Sequence, residues 1–540
     1  MAGIVGTFRA PGQGEADRTL LVRQTELLAA RGPDDGAVYL EGPYGLGHRR
    51  LDAEGTGHQP HWDEESRVAV LVDADLLNRE ALAQTLASKG HRLGSDEPAE
   101  VILAAYREWG DSFLERLEGT YALAVLDRKA RSLFLARDPS GGRPLFYHRD
   151  RRRFTFASNL ATLVADPATP RTLDPDAVVT WFSIGYVPAP DSLLKEVRSV
   201  VPGEALLVTE EGVRSRRRGE AASLALAPEA RLSALRSRLE EASTAAARGA
   251  TGLALSGGRV SSALLAWIAG ADLDLPALHL VGFDPEDRRA ARRLVGERGW
   301  TPRELRTRGA PLSLLRDAVG AMELPVADPW FVTQYALGRA LRGSHSVEGP
   351  IVTGHGGREM TAETSTRSGL DALRRELSES PAGRAAAHRA AEASLPERAI
   401  GLAGPVVDAL GVVAERAIRA PMLSPSVLEL RGARPDPGRP TWARLARGSV
   451  PGPVAAAPGR RLGPPLAAWL RGPAQRWAEE ELFGPEEGSA MVDRGRLRRW
   501  WYGLQLRVQD RSEALWRALV FEAWYRGLLD PSAPARRRRR

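Results

Sequence analysis

The chain has 540 residues, of which 43% are hydrophobic, so we expect two or three globular domains rather than one core. It contains no cysteine, which excludes disulfides, thiolate metal sites and thiol nucleophiles. The formal net charge is +7, but five positive charges lie in the terminal run Arg536–Arg540, so we expect no nucleic-acid binding by the nearly neutral body.

The sequence shows no pattern typical of a membrane span or a signal peptide. No run of about 18 or more apolar residues occurs, so we expect no membrane span. The first residues, MAGIVGTFRA, lack the charged start and long apolar stretch of a signal peptide. These observations favour a soluble, cytoplasmic protein.

The first ~210 residues are rich in short strand patterns separated by turns. Two amphipathic helices are predicted between them, in RTLLVRQTELLAARG and PAEVILAAYREWG. This mixture predicts two packed sheets with flanking helices. The predicted strands are VAVLVDAD, YALAVLD, SLFLARD, PLFYH, RFTFAS and EALLVTEEGV.

Beyond residue 210 the pattern changes. A charged segment, TEEGVRSRRRGEAASLALAPEA, is typical of a linker, and strands then alternate with helices as in a parallel sheet. From about residue 360 onward we expect helices and no strands. The predicted boundaries are a first domain at 2–210, a linker at 211–228, a second domain at 229–530 and a basic disordered tail at 531–540.

One segment of the second domain, TGLALSGGRVSSALLAWIAG from Thr251, has the pattern of a strand, a glycine turn and a helix. Such a turn holds phosphate at a helix N-terminus. Phosphate sites of this kind usually carry a carboxylate for Mg²⁺. Here the turn carries Arg259 and Val260 instead, so the loop contains no acid.

Several motifs, in order, resemble the class B glutamine-hydrolysing asparagine synthetases and their β-lactam synthetase and lasso-peptide cyclase relatives. The resemblance implies an α/β protein: an N-terminal Ntn-hydrolase-like αββα sandwich of the type 2 glutamine amidotransferase kind, then an adenine-nucleotide α-hydrolase-like parallel sheet with a helical C-terminal part. The motifs are RGPDDG, LGHRRL, LFLARDPSGGRPLFYH, FASNLATL, WFSIGYVPAPDSLLKEVRSVVPGEALLV, LSGG, VGF, ADP, RAPML, WLRGP and LWRALVFEAWYR.

The family's first domain uses an N-terminal cysteine to release ammonia from glutamine, and the resemblance places Ala2 at that position. Alanine has no nucleophilic atom, so we expect no glutaminase chemistry. The family's oxyanion-supporting Asn-Gly-Glu corresponds to Asp73, Ala74 and Asp75, and an ionised Asp73 cannot donate a hydrogen bond. The resemblance assigns Arg50 to the glutamine carboxylate and Asp96 to the glutamine amine.

The family's second domain activates a carboxylate with ATP and Mg²⁺, and ammonia or an internal amine then attacks the adenylate. Val260 replaces one metal-binding aspartate, and His355 and Arg358 replace two more, so Mg²⁺ binding is not expected. The catalytic lysine corresponds to Gly459, beside Arg460 and Arg461. The remnants of the nucleotide and phosphate site are Leu255, Ser256, Gly257, Gly258, Ser261, Ser262, Val281, Thr353, Gly354 and Glu359.

Three hypotheses about function follow. The first is a non-catalytic scaffold, partner or regulator of an active synthetase, assembled with itself or with an active paralogue. The second is an ATP-dependent amide-forming ligase with rewired site residues. The third is a simple anion or nucleotide binder, in which Arg259, His355 and Arg358 contact an anion without metal.

Two further patterns point to no metal or cofactor site. The nine histidines do not lie at metal-ligand spacing, so no metal site is predicted from them. The aromatic segment from Trp501 to Leu529 has apolar residues at helical spacing. It favours core or partner-helix packing, and the aromatic content also suits an interface.

Overall fold

The computed structural model divides the chain into two compact units. The N-terminal unit comprises residues Met1–Thr172 and Ala189–Ala222, and the C-terminal unit comprises Leu173–Pro188 and Ser223–Arg540. The structure describes residues 1–10, 12–51, 58–217, 228–273, 275–281, 289, 291–292, 302–306, 309–344, 347–357, 395–430, 442–450, 464–484, 489 and 491–529.

Two six-stranded antiparallel sheets build the N-terminal unit. The first has the order β10-β8-β9-β1-β3-β2, and the second has the order β12-β11-β7-β6-β5-β4. The strands of the first sheet are β1 (Ala2–Arg9), β2 (Asp35–Glu41), β3 (Tyr44–Arg50), β8 (Phe146–Arg149), β9 (Arg153–Ala157) and β10 (Val197–Ser199). Those of the second are β4 (His61–Trp62), β5 (Val68–Leu76), β6 (Gly119–Asp127), β7 (Ser132–Arg137), β11 (Glu204–Thr209) and β12 (Gly212–Arg217).

Helices cover the outer faces of these sheets. Helices α2 and α3 pack on the second sheet, while α1 and α4 pack on the first. Between the sheets lies an apolar layer that includes Ile4, Leu71 and Phe156. The helices are α1 (Arg18–Glu26), α2 (Arg79–Ser88), α3 (Pro98–Trp109), α4 (Leu160–Val164) and a 3₁₀ turn at Gly110–Arg116.

The segment predicted as a linker differs from that prediction in its first part. Residues Gly212–Arg217 form β12, which pairs with β11 from Glu204↔Arg217 to Thr209↔Gly212. This strand lies at the edge of its sheet, where charged side chains are exposed to solvent, so its sequence lacks an apolar pattern. Residues 218–227 lie outside the described part of the chain.

A five-stranded parallel sheet with the order β15-β14-β13-β16-β17 forms the centre of the C-terminal unit. The expectation of no strand after residue 360 is wrong, because Ile418–Arg419 pairs with the preceding strand at the sheet's edge. Two residues are too short for a recognisable sequence pattern. The strands are β13 (Gly252–Ala254), β14 (Ala277–Val281), β15 (Arg303–Arg306), β16 (Ile351–Val352) and β17 (Ile418–Arg419).

Helices cover this sheet on both faces and then form a separate helical core. The described helices are α5 (Pro175–Ile184), α6 (Pro228–Ala247), α7 (Arg259–Gly270), α8 (Pro311–Gly320), α9 (Phe331–Arg342), α10 (Leu395–Ala414), α11 (Pro425–Glu429), α12 (Trp442–Leu445), α13 (Leu466–Leu470), α14 (Gln475–Phe483), α15 (Arg494–Gln505) and α16 (Ser512–Leu529).

Helix α5 shows how local sequence sets these elements. The Asp174 side chain accepts hydrogen bonds from two backbone N–H groups of the first turn, Pro175 occupies the first helical position, and Gly185 ends the helix at φ +91°. Trp181 and Phe182 then pack against Phe521 of α16. Local capping and long-range burial therefore agree at this helix.

The predicted fold class, a two-sheet sandwich followed by a parallel α/β unit, is confirmed. Among the described residues, no helix combines the length and the apolar character that crossing a membrane would require.

Candidate functional site

The N-terminal candidate site lies where β1 and β3 of one sheet meet β5 of the other. Ala2 begins β1 and lies opposite Arg50 in the antiparallel register. The backbone N–H of Ala2 donates to Oδ1 of Asp73 at 3.0 Å. The structure therefore brings Ala2, Arg50 and Asp73 together from strands far apart in sequence.

Asp73 is a buried carboxylate with a buried cationic neighbour. Nε of Arg143 lies 3.5 Å from its Oδ1, and the two side chains are 5% and 1% exposed. The guanidinium also contacts the sulfur of Met1. Within the described residues, Oδ2 of Asp73 and Nε of Arg143 make no hydrogen bond. Position 73 is thus occupied by an acceptor whose charge is balanced by an arginine.

The two charged residues assigned to the glutamine zwitterion have intramolecular partners. Arg50 donates to Asp35 at 3.2 Å, and His58 lies 3.3 Å from the same carboxylate oxygen. Asp96 lies in the loop after α2, 3.1 Å from Nε of Arg79 on that helix. Both charges are therefore partly neutralised by the chain itself.

His48 is another polar residue buried at this site, at 1% exposure. Burial lowers its pKa to about 3; the nearby carboxylates of Asp73 and Asp35 oppose this shift, and Arg50 and the N-terminal amine add to it. Its Nε2 makes no hydrogen bond within the described residues. The imidazole is therefore neutral at physiological pH.

This neutral imidazole predicts acid sensitivity. His48 binds a proton near pH 6.5 in the unfolded state but not in the folded state. Its contribution to the free energy of unfolding is therefore fully present above pH 6.5 and is lost as the pH falls below that value. We expect a loss of about 1.4 kcal/mol per pH unit between pH 6 and pH 4. Urea titrations at several pH values, followed by hydrogen exchange of β3 amides, measure this slope.

The control for this prediction is a matched histidine substitution. His48→Gln should flatten the pH dependence, because it removes the imidazole that only the unfolded state protonates in this range. Equal slopes in wild type and His48→Gln would contradict the assignment.

The second candidate site lies at the turn between β13 and α7. Gly257 adopts φ +80°, a conformation that glycine tolerates, and Gly258 precedes the first turn of the helix. The hydroxyls of Ser256 and Ser261 lie 3.0 Å apart, and that of Ser262 donates to the carbonyl of Gly258 at 2.7 Å. These hydroxyls stabilise the turn itself.

The carboxyl ends of three neighbouring parallel strands meet at this turn. Leu255 follows β13, Val281 ends β14, and Thr353 follows β16. In open α/β sheets, ligands bind at this edge. The predicted nucleotide and phosphate positions that the structure describes therefore lie on adjacent strands.

Val260 fills the space between the turn and the facing loop. A side-chain carbon at Gly354 would lie 2.8 Å from its Cγ1, and one at Gly357 would lie 2.6 Å from the same atom. The isopropyl group is thus in close contact with the facing backbone, and it also packs against the core around α7. Hydrocarbon occupies the position at which the resemblance implies a metal-binding carboxylate.

His355, on the facing loop, is buried and uncharged. Its Nδ1 lies 2.8 Å from the hydroxyl of Thr353, and its ring lies 4.9 Å from that of Trp330. Burial lowers its pKa to about 4. It therefore brings no positive charge to the loop at neutral pH.

These residues do not fit the Mg²⁺ that the resemblance implies. Mg²⁺ prefers carboxylate and other oxygen ligands, and the isopropyl group of Val260 supplies none. Among the described residues, no group of three or more His, Asp or Glu side chains is placed to hold a metal ion. Arg358, Glu359, Gly459, Arg460 and Arg461 lie outside the described residues.

Comparison with known proteins agrees with this arrangement of units. Residues 1–218 match the family model of the glutamine amidotransferase domain, and residues 234–417 match that of asparagine synthase. The chain belongs to the glutamine-hydrolysing asparagine synthetase family.

Individual relatives in this asparagine synthetase family match parts of the chain. Asparagine synthetase [glutamine-hydrolyzing] 3 of Bacillus subtilis is 31% identical over 219 residues, which are 39% of this chain and 36% of that protein. Asparagine synthetase [glutamine-hydrolyzing] 3 of Arabidopsis thaliana is 33% identical over 148 residues, which are 27% and 25% of the two chains. The chain thus spans about a third or less of the length of the curated relatives it matches.

Solved structures also show similarity. The glutamine phosphoribosylpyrophosphate amidotransferase of B. subtilis, complexed with ADP and GMP, is 16% identical with a TM-score of 0.32. The match covers 65% of this chain and 80% of that one.

In this asparagine synthetase family member, no sequence pattern indicated that Arg143 and His48 belong to the N-terminal site. Both lie inside motifs that carried the resemblance, SGGRP and LGHRR. A polar residue between glycine and proline, or between glycine and arginine, gives no periodic signal of burial. Only the packing of the two sheets shows that these side chains point inward.

Proposed function

We propose that this chain is a non-catalytic, asparagine synthetase-like protein of the cytoplasm that acts as a partner or regulator of an active synthetase or biosynthetic complex. The observation that carries this proposal is the packing of Val260 against Gly354 and Gly357. A carboxylate that bound Mg²⁺ would need space and water where this isopropyl group lies. Loss of metal ligands removes the charge that stabilises nucleotidyl transfer.

The N-terminal unit supports the same proposal independently. Ala2 offers no nucleophile, and Asp73 presents an acceptor paired with Arg143 rather than an oxyanion donor. Restoring the thiol alone would leave this carboxylate in place. A developing oxyanion beside it would be repelled, so two separate changes stand against glutamine hydrolysis.

The first experiment measures ATP–pyrophosphate exchange with aspartate and a panel of other carboxylates in the presence of Mg²⁺. We expect exchange at the level of a buffer blank, with the B. subtilis relative asparagine synthetase 3 as positive control. Mg²⁺-dependent exchange that disappears in Glu359→Ala would overturn the proposal and support a ligase with rewired residues.

The second experiment measures glutamate release from glutamine. We expect none from wild type and none from Ala2→Cys, because Asp73 remains. Ala2→Cys/Asp73→Asn is the matched comparison, since it restores both the thiol and a side-chain donor. Release by Ala2→Cys alone, above the blank, would contradict the role given to Asp73.

A further inference from the structure

Large apolar side chains are exposed in one region of the described chain. Tyr502, Leu506 and Val508 are 62%, 73% and 79% exposed, and Met491 just before α15 is 41% exposed. These are the four exposed large hydrophobic residues among those that the structure describes. Single exposed apolar residues are ordinary, but a cluster of them marks an interaction site.

One face of helix α15 is buried in the protein, so the exposed cluster lies on a helix that is held in place by packing. Leu497, Trp501 and Leu504 pack into the helical core of the C-terminal unit. Tyr502 is exposed on the other side of the helix, and Arg498, one turn earlier, is exposed with its guanidinium 5.7 Å from the centre of the Phe483 ring.

The turn after α15 is also defined. Arg507 adopts φ +58°, which ends the helix, and the backbone N–H of Val508 donates to the carbonyl of Gly503 at 3.0 Å. The same carbonyl accepts from Gln509 at 3.1 Å. Leu506 and Val508 are therefore held outward by the backbone rather than left on a loose loop.

The surroundings of the cluster are strongly basic. Residues 494–509 contain five arginines and no acid. The flanking acids are engaged at helix starts: Asp493 accepts from two backbone N–H groups of α15, and Asp510 accepts from the N–H of Ser512. The stretch itself therefore supplies no carboxylate to its arginines.

We propose that the α15 patch, defined as Arg498, Arg499, Tyr502, Leu506 and Val508, docks an acidic amphipathic helix of a partner protein. Tyrosine, arginine and aliphatic side chains on a rigid helix suit a helix-in-groove or helix-on-helix contact. Carboxylates on the partner would pair with the arginines, and its apolar residues would cover the exposed cluster.

Other occupants fit this patch less well. A second copy of the chain would bring its own Arg498 and Arg499, which are like charges, to the contact. Nucleic acid would pair with arginine but leave Leu506 and Val508 without apolar cover. A helix lying on a bilayer inserts one whole apolar face, whereas the inner face of α15 is in the protein core.

The α15 patch deepens the proposed partner role and rests on it for its biological meaning, although its test does not involve the synthetase cleft. A photo-crosslinking phenylalanine derivative is incorporated in place of Tyr502 in cells that make the protein. On irradiation it forms a covalent bond with any protein that contacts the patch. Mass spectrometry then identifies the crosslinked protein and the peptide that carries the link. We expect that peptide to be an acidic amphipathic helix.

The identified protein is then purified and titrated with full-length variants. We expect at least a tenfold weaker Kd for Leu506→Ser/Val508→Ser and for Arg498→Glu/Arg499→Glu, with the charge effect shrinking at high salt. Arg214→Glu, an exposed arginine on β12, is the matched control and should bind like wild type. Unchanged thermal unfolding of each variant excludes misfolding as the cause.

Several results would contradict docking of an acidic helix on the α15 patch. One is that no protein is crosslinked, and another is that the crosslink joins a second copy of the chain or a segment without acidic residues. A third is that the patch variants bind the partner like wild type. Tight binding of phosphatidylserine vesicles or single-stranded RNA, lost in the same variants, would assign the patch to those partners instead. If the protein catalyses pyrophosphate exchange and also binds the partner through the patch, the non-catalytic function is contradicted but the assignment of the α15 patch is supported.

Discussion

Replacing Asp73 by Asn should lower the free energy of unfolding of the N-terminal unit by about 3–5 kcal/mol. The carboxylate and the Arg143 guanidinium are both buried, 3.5 Å apart, so removing one charge leaves the other in a low-dielectric site. Asparagine keeps an oxygen for the N–H of Ala2, so the loss reports the charge and not that hydrogen bond. Urea-dependent hydrogen exchange of β1 and β5 amides measures it for this unit alone.

Two comparisons make this result specific. Asp96→Asn breaks an Arg–Asp pair whose side chains are 32% and 43% exposed, and should cost about 0–1 kcal/mol. Asp73→Asn/Arg143→Met removes both buried charges and should recover much of the lost stability. A small effect of Asp73→Asn, close to that of Asp96→Asn, would show that the buried pair is not what fixes this site.

Gly354→Ala should destabilise the C-terminal unit by about 1–3 kcal/mol, as expected when a methyl group is forced into a filled space. The new carbon would lie 2.8 Å from Cγ1 of Val260, a distance that carbon atoms do not tolerate. Hydrogen exchange of β13 and β16 amides under increasing urea gives the change in stability. A loss of stability in this range would show that the isopropyl group occupies the position between the two loops.

The double substitution supplies the control. In the Val260→Ala background the obstructing methyl groups are gone, so Gly354→Ala should cost at least about 1 kcal/mol less than in wild type. Gly343→Ala, where the added carbon meets neighbours no closer than 3.6 Å, should change stability by no more than about 0.5 kcal/mol. Additive effects of Val260→Ala and Gly354→Ala would place the valine side chain elsewhere.

Strands with a clear apolar pattern could be predicted from the sequence. β5, β6 and β7 are apolar runs bounded by turn residues, and each of them forms as predicted. The strand patterns did not include β2 and β3, because glycine, tyrosine and arginine interrupt any alternation there. β12 was missed for a related reason, since edge strands need not be apolar.

The candidate site could be predicted only in part. Motif order predicted candidate positions such as Ala2, Asp73 and Val260, because each lies at a fixed place relative to the motifs of the resemblance. The pairing of Asp73 with Arg143 joins residues from separate elements, and no local pattern encodes it. The contact of Val260 with Gly354 likewise depends on how the parallel strands stack side by side.

Helix α5 has a consequence for the synthesis of the chain. Residues 173–188 belong to the C-terminal unit, yet the chain returns to the N-terminal unit at Ala189. On the ribosome, both sheets of the N-terminal unit emerge well before Phe521, against which Trp181 and Phe182 pack. Until Phe521 has been synthesised, Trp181 and Phe182 lack this aromatic contact. We expect this segment to bind chaperones during translation. A chain that ends at a stop codon after residue 222 should remain bound to those chaperones, which would be measured by their co-purification with it.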